Sequence, residues 1–219
     1  MYSTRKSLLI LHLAMGIAFA GPTYTFTNIT SNNPVNVATG ISQLWFEVGQ
    51  SQGPATLTFH NIGPLPCSVT DIYIDDDAGV IDSISSILNG PGVRFQLGAN
   101  PQDPPGGEDL VPPFATTPGL SLQSKPPVIR NGIDPGQWLT IGLRLRQGSN
   151  LDDLISNLET GTIRVAMHVQ GFASGGGESF VNTTTIPSPG AIVLGTIGTL
   201  IAGLARHTRA WSSKSQQSA

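Results

Sequence analysis

Three carboxylates stand in a row at Asp75-Asp76-Asp77, just before Ala78-Gly79, with Asp71 and Asp82 close by in the chain. A hard cation such as Ca²⁺ takes six to eight oxygen ligands, and carboxylates clustered at the end of a strand can supply several. The spacing is not that of an EF-hand, because the D-x-[DN]-x-[DN]-G run and its closing Glu are both missing. Calcium held by Asp75, Asp76 and Asp77 is the only metal expectation, and no other cofactor is called for. The alternative is a solvated acidic turn, where Asp suits the loop geometry.

A second set of side chains points to sugar. Trp45, Tyr73 and Trp138 are the candidates, since a flat aromatic face is the usual platform for a sugar ring. Tyr73 is expected to face outward. Core packing is the competing use of a strand Trp.

Nucleophilic chemistry finds little to build on. Between residues 21 and 185 the histidines are His60 and His168, and the chain's only cysteine is Cys67. No G-x-S-x-G elbow is present. Pairing Cys67 with a histidine would need a tertiary contact that spacing does not reveal. Glycoside hydrolysis needs two carboxylates at a set separation, and no pair is marked out. Gly175-Gly176-Gly177 leads into Glu178 rather than a helix with Lys, so it is a turn and not a phosphate loop. The chain reads as non-enzymatic, with a secreted hydrolase as an alternative.

Composition narrows the partners. Of 219 residues, 26 are Gly and 17 Pro, and only 11% are charged. A chain so rich in turn residues and so poor in charge differs from an ordinary soluble domain. All 14 acidic residues lie between Glu47 and Glu178. Six of the 11 basic residues lie between 21 and 185, giving that segment a net charge of −8. Clustered Lys/Arg is what binds phosphate, so nucleic acid is not an expected partner. One cysteine rules out an internal disulfide framework.

The two ends read as addresses. Arg5 and Lys6 precede an apolar run over residues 8–19, and Ala18 and Ala20 occupy the small positions of a cleavage site. This is the layout of a secretory signal peptide over residues 1–20, with signal peptidase as partner. At the other end, about 20 uncharged residues lie between Thr185 and Arg206. As a helix, that run would span roughly 30 Å, the thickness of a bilayer core. The expected transmembrane helix covers about 190–205. Arg206 and Arg209 follow it and would hold residues 210–219 in the cytoplasm.

The order of Ile186-Pro187-Ser188-Pro189-Gly190, an apolar helix, and Arg206-His207-Thr208-Arg209 resembles the PEP-CTERM protein-sorting signal. Ser188 stands where the usual form has Glu, and Gly190 matches Pro-x-Pro-Gly variants. The extension over residues 210–219 is longer and less basic than usual. The resemblance implies an exosortase, a membrane-embedded cysteine peptidase, acting near Pro187 and Pro189 in residues 186–209. It also implies a bacterial envelope or biofilm setting. Residues 69–73, 89–93, 131–139 and 168–182 resemble ectodomains that precede such tails, which implies a location and a fold but no activity.

Residues 21–185 must then form one ectodomain, a length that suits a single core. Alternation or β-branched enrichment predicts strands at 23–27, 44–48, 55–60, 69–74, 93–97, 139–145 and 163–169, with 180–181 closing the sheet. Leu151, Leu154, Ile155 and Leu158 share the buried face of a helix. Asn150 is its cap and Gly161 its stop. Residues 99–136 are rich in Pro and Gly and read as a long surface loop, since Pro cannot serve a central ladder. The expected fold is all-β, an antiparallel β-sandwich of jelly-roll type with one short helix.

The chain is thus expected to be a secreted or cell-surface protein, passing through a membrane-anchored precursor. Extracellular polysaccharide is an expected partner, and a carbohydrate- or calcium-dependent adhesion module is the first alternative for its activity. Intact mass of the protein from medium and membrane fractions tests the two addresses. Sorting and release give a product that begins near Gly21 and ends near Pro187. A membrane-retained species still ending at Ala219 would contradict processing at the tail.

Overall fold

The computed structural model describes residues 21–51 and 53–186. The expected signal peptide with Ala18 and Ala20, the motif Pro187-Ser188-Pro189-Gly190, the apolar segment after it, and Arg206 and Arg209 lie outside the described residues. Among the described residues no helix is long and apolar enough to cross a membrane.

Ten antiparallel strands form one continuous sheet. They are β1 (Thr23–Asn28), β2 (Leu44–Gln50), β3 (Ala55–Asn61), β4 (Ser68–Asp76), β5 (Ile81–Asn89), β6 (Phe95–Leu97), β7 (Ser121–Ser124), β8 (Gln137–Leu145), β9 (Ile163–Gln170) and β10 (Glu178–Ile186). Helix α1 (Pro34–Gln43) joins β1 to β2, and α2 (Leu151–Thr160) joins β8 to β9. The strand order is β5-β8-β3-β2-β1-β10-β9-β4-β7-β6. Laid flat at about 4.8 Å per strand, such a sheet would be roughly 40 Å wide. Yet Ile81, Leu143, Phe59, Phe46, Tyr24, Phe180, Met167, Ile72, Leu122 and Phe95, one from each strand, all belong to a single apolar cluster. The sheet is therefore rolled around that cluster, and its two halves face each other as the layers of a sandwich. The roll nearly closes where the Phe95 amide donates to Asn89 Oδ1 at 2.8 Å, linking the two edge strands.

The alternating segments form strands because alternate residues can enter this core. Leu139, Ile141 and Leu143 are buried, while Thr140 is half-buried and Arg144 exposed. Helix α2 has the expected start: Asn150 Oδ1 accepts from the amides of Asp152 and Asp153, and Asp153 returns a bond to the Asn150 amide. Gly161 ends it at φ 76°, a conformation that favours glycine.

Strand β5 and helix α1 depart from the expected element list, for opposite reasons. In β5 the apolar residues Ile81, Ile84 and Ile87 recur every third residue. Register shifts at Ile81/Ser83 and Ile84/Ser86 absorb one extra residue each, so all three still meet the core. Helix α1 is inverted: Asn36, Thr39, Gly40 and Gln43 are its buried residues, while Val35 and Ile41 are exposed. Its inward polar groups find partners, Asn36 Nδ2 on the Gly175 carbonyl at 2.9 Å and Gln43 Nε2 on the Leu65 carbonyl at 2.9 Å. At Gly40 an added Cβ would lie 2.2 Å from the Phe180 ring, so only glycine lets the helix sit on β10.

Glu178 fixes the turn that starts α1. Its carboxylate accepts from Thr30 Oγ1 (2.6 Å), the amides of Asn33 (2.7 Å) and Asn32 (3.1 Å), and Asn28 Nδ2 (3.3 Å). Burial pushes this carboxyl up, but the hydrogen bonds outweigh it and hold it below the ordinary value.

The segment between β6 and β8 is not a bare surface loop. It supplies β7, and it buries Phe114, Leu120, Leu122 and Ile133. Part of it covers the outer face of β4, β9 and β10, where Phe114 packs with Tyr73, Ala166 and Val181. Arg164 holds this cover in place. Its guanidinium pairs with buried Asp75, with Nε at 3.1 Å from Oδ2. The same group donates to the carbonyls of Pro112 (2.7 Å) and Pro113 (2.6 Å) and lies 5.2 Å from the centre of the Phe114 ring. Removing one partner of a buried pair strands the other charge, at about 3–5 kcal/mol. Arg164→Ala is therefore expected to lower the unfolding free energy by about that amount in urea titrations. Arg164→Lys should recover only part of it, because an ammonium lacks the fork of donors. A loss below about 1 kcal/mol would contradict the clamp, since that is the range of a surface pair.

Candidate functional site

The Asp75-Asp76-Asp77 run does not converge on a metal. Asp75 is committed to Arg164 and to the Ala115 amide at 3.3 Å. Asp76 closes the turn into β5 by accepting from the amides of Val80 (3.1 Å) and Ile81 (2.6 Å). Asp77 is exposed. Asp75 and Asp76 are spent on protein donors, and among the described residues no group of three or more His, Cys, Asp or Glu is placed to hold a metal ion.

Cys67 and the histidines are likewise separated. Cys67 Sγ accepts from Gln43 Nε2 (3.4 Å) and Asn61 Nδ2 (3.5 Å). Burial pushes its thiol above the ordinary value, away from a reactive thiolate. His168 stands in a cross-strand row with Ser179 on one side and Asp71 on the other. Those are the residue types of an acyl-transfer triad, but the contacts differ. Nδ1 of His168 meets Ser179 Oγ at 3.2 Å, and Nε2 takes the Gln170 amide at 3.2 Å. Asp71 bonds Thr70 instead, and Ser179 is fully buried. Burial also pulls the His168 ring below its ordinary value. This row packs the fold and offers no nucleophile that a substrate can reach.

The aromatic candidates divide. Against the outward position expected of it, Tyr73 is 0% exposed. It does leave the central core, but Phe114 and its neighbours cover it. It cannot stack on a ligand. Trp45 and Trp138 are both half-buried on the uncovered outer face. They are brought together by register: Trp45 on β2 lies opposite His60 on β3, and His60 lies opposite Trp138 on β8. A row Trp45–His60–Trp138 thus crosses three neighbouring strands, with side chains on one face.

Each member of the row is held. The Trp45 and His60 rings stack at 4.1 Å between centres and 12° between planes. Glu47, two residues along on the same face, meets His60 Nε2 at 3.4 Å. Trp138 packs against Gly90, where an added Cβ would lie 2.5 Å from the Trp138 carbonyl and 3.2 Å from its ring. Beside Trp45 a hollow of about 230 Å³ is lined by Thr23, Thr25, Ile41, Ser42 and Ile62, among others. That is below the roughly 300–1,000 Å³ of a drug-sized pocket, and its size suits one ring lying against the indole. Small hydroxyls line the middle of this face, with Thr58 bonded to Thr140 at 2.9 Å and Thr25 to Thr183 at 3.1 Å, and beyond them exposed Arg144 on β8 pairs with Asp82 at 2.6 Å.

His60 and Glu47 are the members that sequence reasoning does not select. Period-2 alternation places them outward with Trp45 and Trp138, but only strand pairing brings them side by side. A comparison with protein-family models, curated proteins and solved structures finds no match to this chain.

Proposed function

We propose that the chain is an exported surface or matrix protein whose open face, centred on Trp45, His60 and Trp138, binds extracellular polysaccharide. The row of aromatic rings across β2, β3 and β8 carries this reading. His60 takes one face of the Trp45 indole at 4.1 Å, which leaves the hollow beside Trp45 and the Trp138 ring two strands away as the surfaces for sugar rings. A polysaccharide chain is flat on its ring faces and bears hydroxyls on its edges. The indoles suit the faces, and the threonine hydroxyls and the Glu47 carboxylate suit the edges.

Thr23 pairs with Ile186, so both ends of the described chain leave from one end of the roll. Trp45, His60 and Trp138 each lie one residue in from an end of β2, β3 and β8, and Trp45 lies opposite Thr25, two residues along β1 from Thr23. Processing by an exosortase at the Pro-x-Pro motif belongs to the same proposal and rests on the resemblance of the tail.

Co-sedimentation of the full chain with cellulose, chitin and the exopolysaccharide of the producing cells tests the binding. Retention on at least one is expected. Trp45→Ala and Trp138→Ala should each weaken it about tenfold, equivalent to about 1.4 kcal/mol. Tyr73→Phe should leave it unchanged. Retention on none of the three, or indifference to both tryptophan substitutions, would sink the proposal.

A further inference from the structure

The covered face holds unpaired oxygens that neither the core nor the aromatic strip explains. Asp71 Oδ1, Tyr73 Oη and Thr116 Oγ1 are buried without a hydrogen-bond partner. Their residues are 6%, 0% and 7% exposed. A buried polar atom with no partner costs about 1–3 kcal/mol, and more if charged. Three such atoms in one region call for something that satisfies them together.

Along β4, Tyr73 stands between the other two. Asp71 and Tyr73 are two residues apart on β4 and share its outer face. Thr116 is pinned against the same strand by its neighbours: the Ala115 amide donates to Asp75 Oδ2 at 3.3 Å, and the Thr117 amide to the Ile74 carbonyl at 2.9 Å. The Thr116 amide in turn donates to Asp103 Oδ1 at 2.8 Å, which brings a second carboxylate to the group. The charges of Asp71 and Asp103 both act on the Tyr73 hydroxyl.

We propose that Asp71, Asp103, Tyr73 and Thr116 form a cation site of the calcium class beneath the cover. The donor set is entirely oxygen, with two carboxylates, which is the chemistry of a hard divalent ion. Water completes the shell, as is usual for such ions. Asp103 is itself exposed, which leaves the ion a route in from solvent. Bound there, the ion ties β4 to the segment that Arg164 clamps, so it stabilises the cover and not the open aromatic face.

Thermal unfolding of the full chain in calcium and in EGTA tests the site. Calcium at about a hundred times its dissociation constant should raise Tm by roughly 5–10 °C. Asp71→Asn and Thr116→Val should remove most of that shift, while Asp77→Asn, at an exposed position, should keep it. The Tm of each variant in EGTA shows whether it has folded. Equal Tm in calcium and EGTA for the unaltered chain would overturn the site and leave water as the partner of these atoms. A shift that survives in a folded Asp71→Asn variant would place calcium elsewhere and overturn it equally.

Discussion

The buried pair of Arg164 and Asp75 divides the molecule into a closed side and an open side. A sheet has two faces, and rolling it buries only one. The other must be covered or be fit to meet water. On β4, β9 and β10 it is covered, because Arg164 reaches from β9 to the carbonyls of Pro112 and Pro113 and lies over Phe114. A guanidinium is well matched to these partners. Its donors are fixed in one plane, and it satisfies a carboxylate and two carbonyls at once. The apolar residues of the cover then bury Tyr73. On β2, β3 and β8, among the described residues, nothing comparable lies over the outer face. It carries Thr, Glu, His, Arg144 and two half-buried Trp instead.

The same division explains why similar residues have different fates. Trp45, Trp138 and Tyr73 all occupy outward positions on strands. What separates them is whether the segment before β7 passes over them. Likewise Asp75, Asp76 and Asp77 are identical in type and adjacent in sequence, yet one meets an arginine, one closes a turn and one meets solvent. Only the turn that Asp76 closes is local; the fates of Asp75 and of the three aromatics depend on residues far along the chain.

That sets the limit of what can be read in the sequence. The strands with strict alternation are legible, as is α2, because a local period reports a local face. Strand β5 is hidden by two bulges that turn a period of two into a spacing of three. Helix α1 is hidden because it buries amides and a glycine, although Asn33 and Pro34 carry a recognisable start signal. Trp45 and Trp138 are legible as candidates from residue type alone. Their alignment through His60 is not, because register between strands that are distant in sequence is a tertiary property. The unpaired oxygens of Asp71, Tyr73 and Thr116 have no local signal at all.

If the open face meets the polysaccharide, and the covered one does not, the two faces must respond differently to it. Oxidative footprinting with and without bound polysaccharide tests this most directly, because it reads both faces in one experiment. Labelling of Trp45, His60 and Trp138 is predicted to fall on binding, while labelling of residues 99–120 stays the same. Protection confined to residues 99–120, with Trp45 and Trp138 labelled as before, would contradict it.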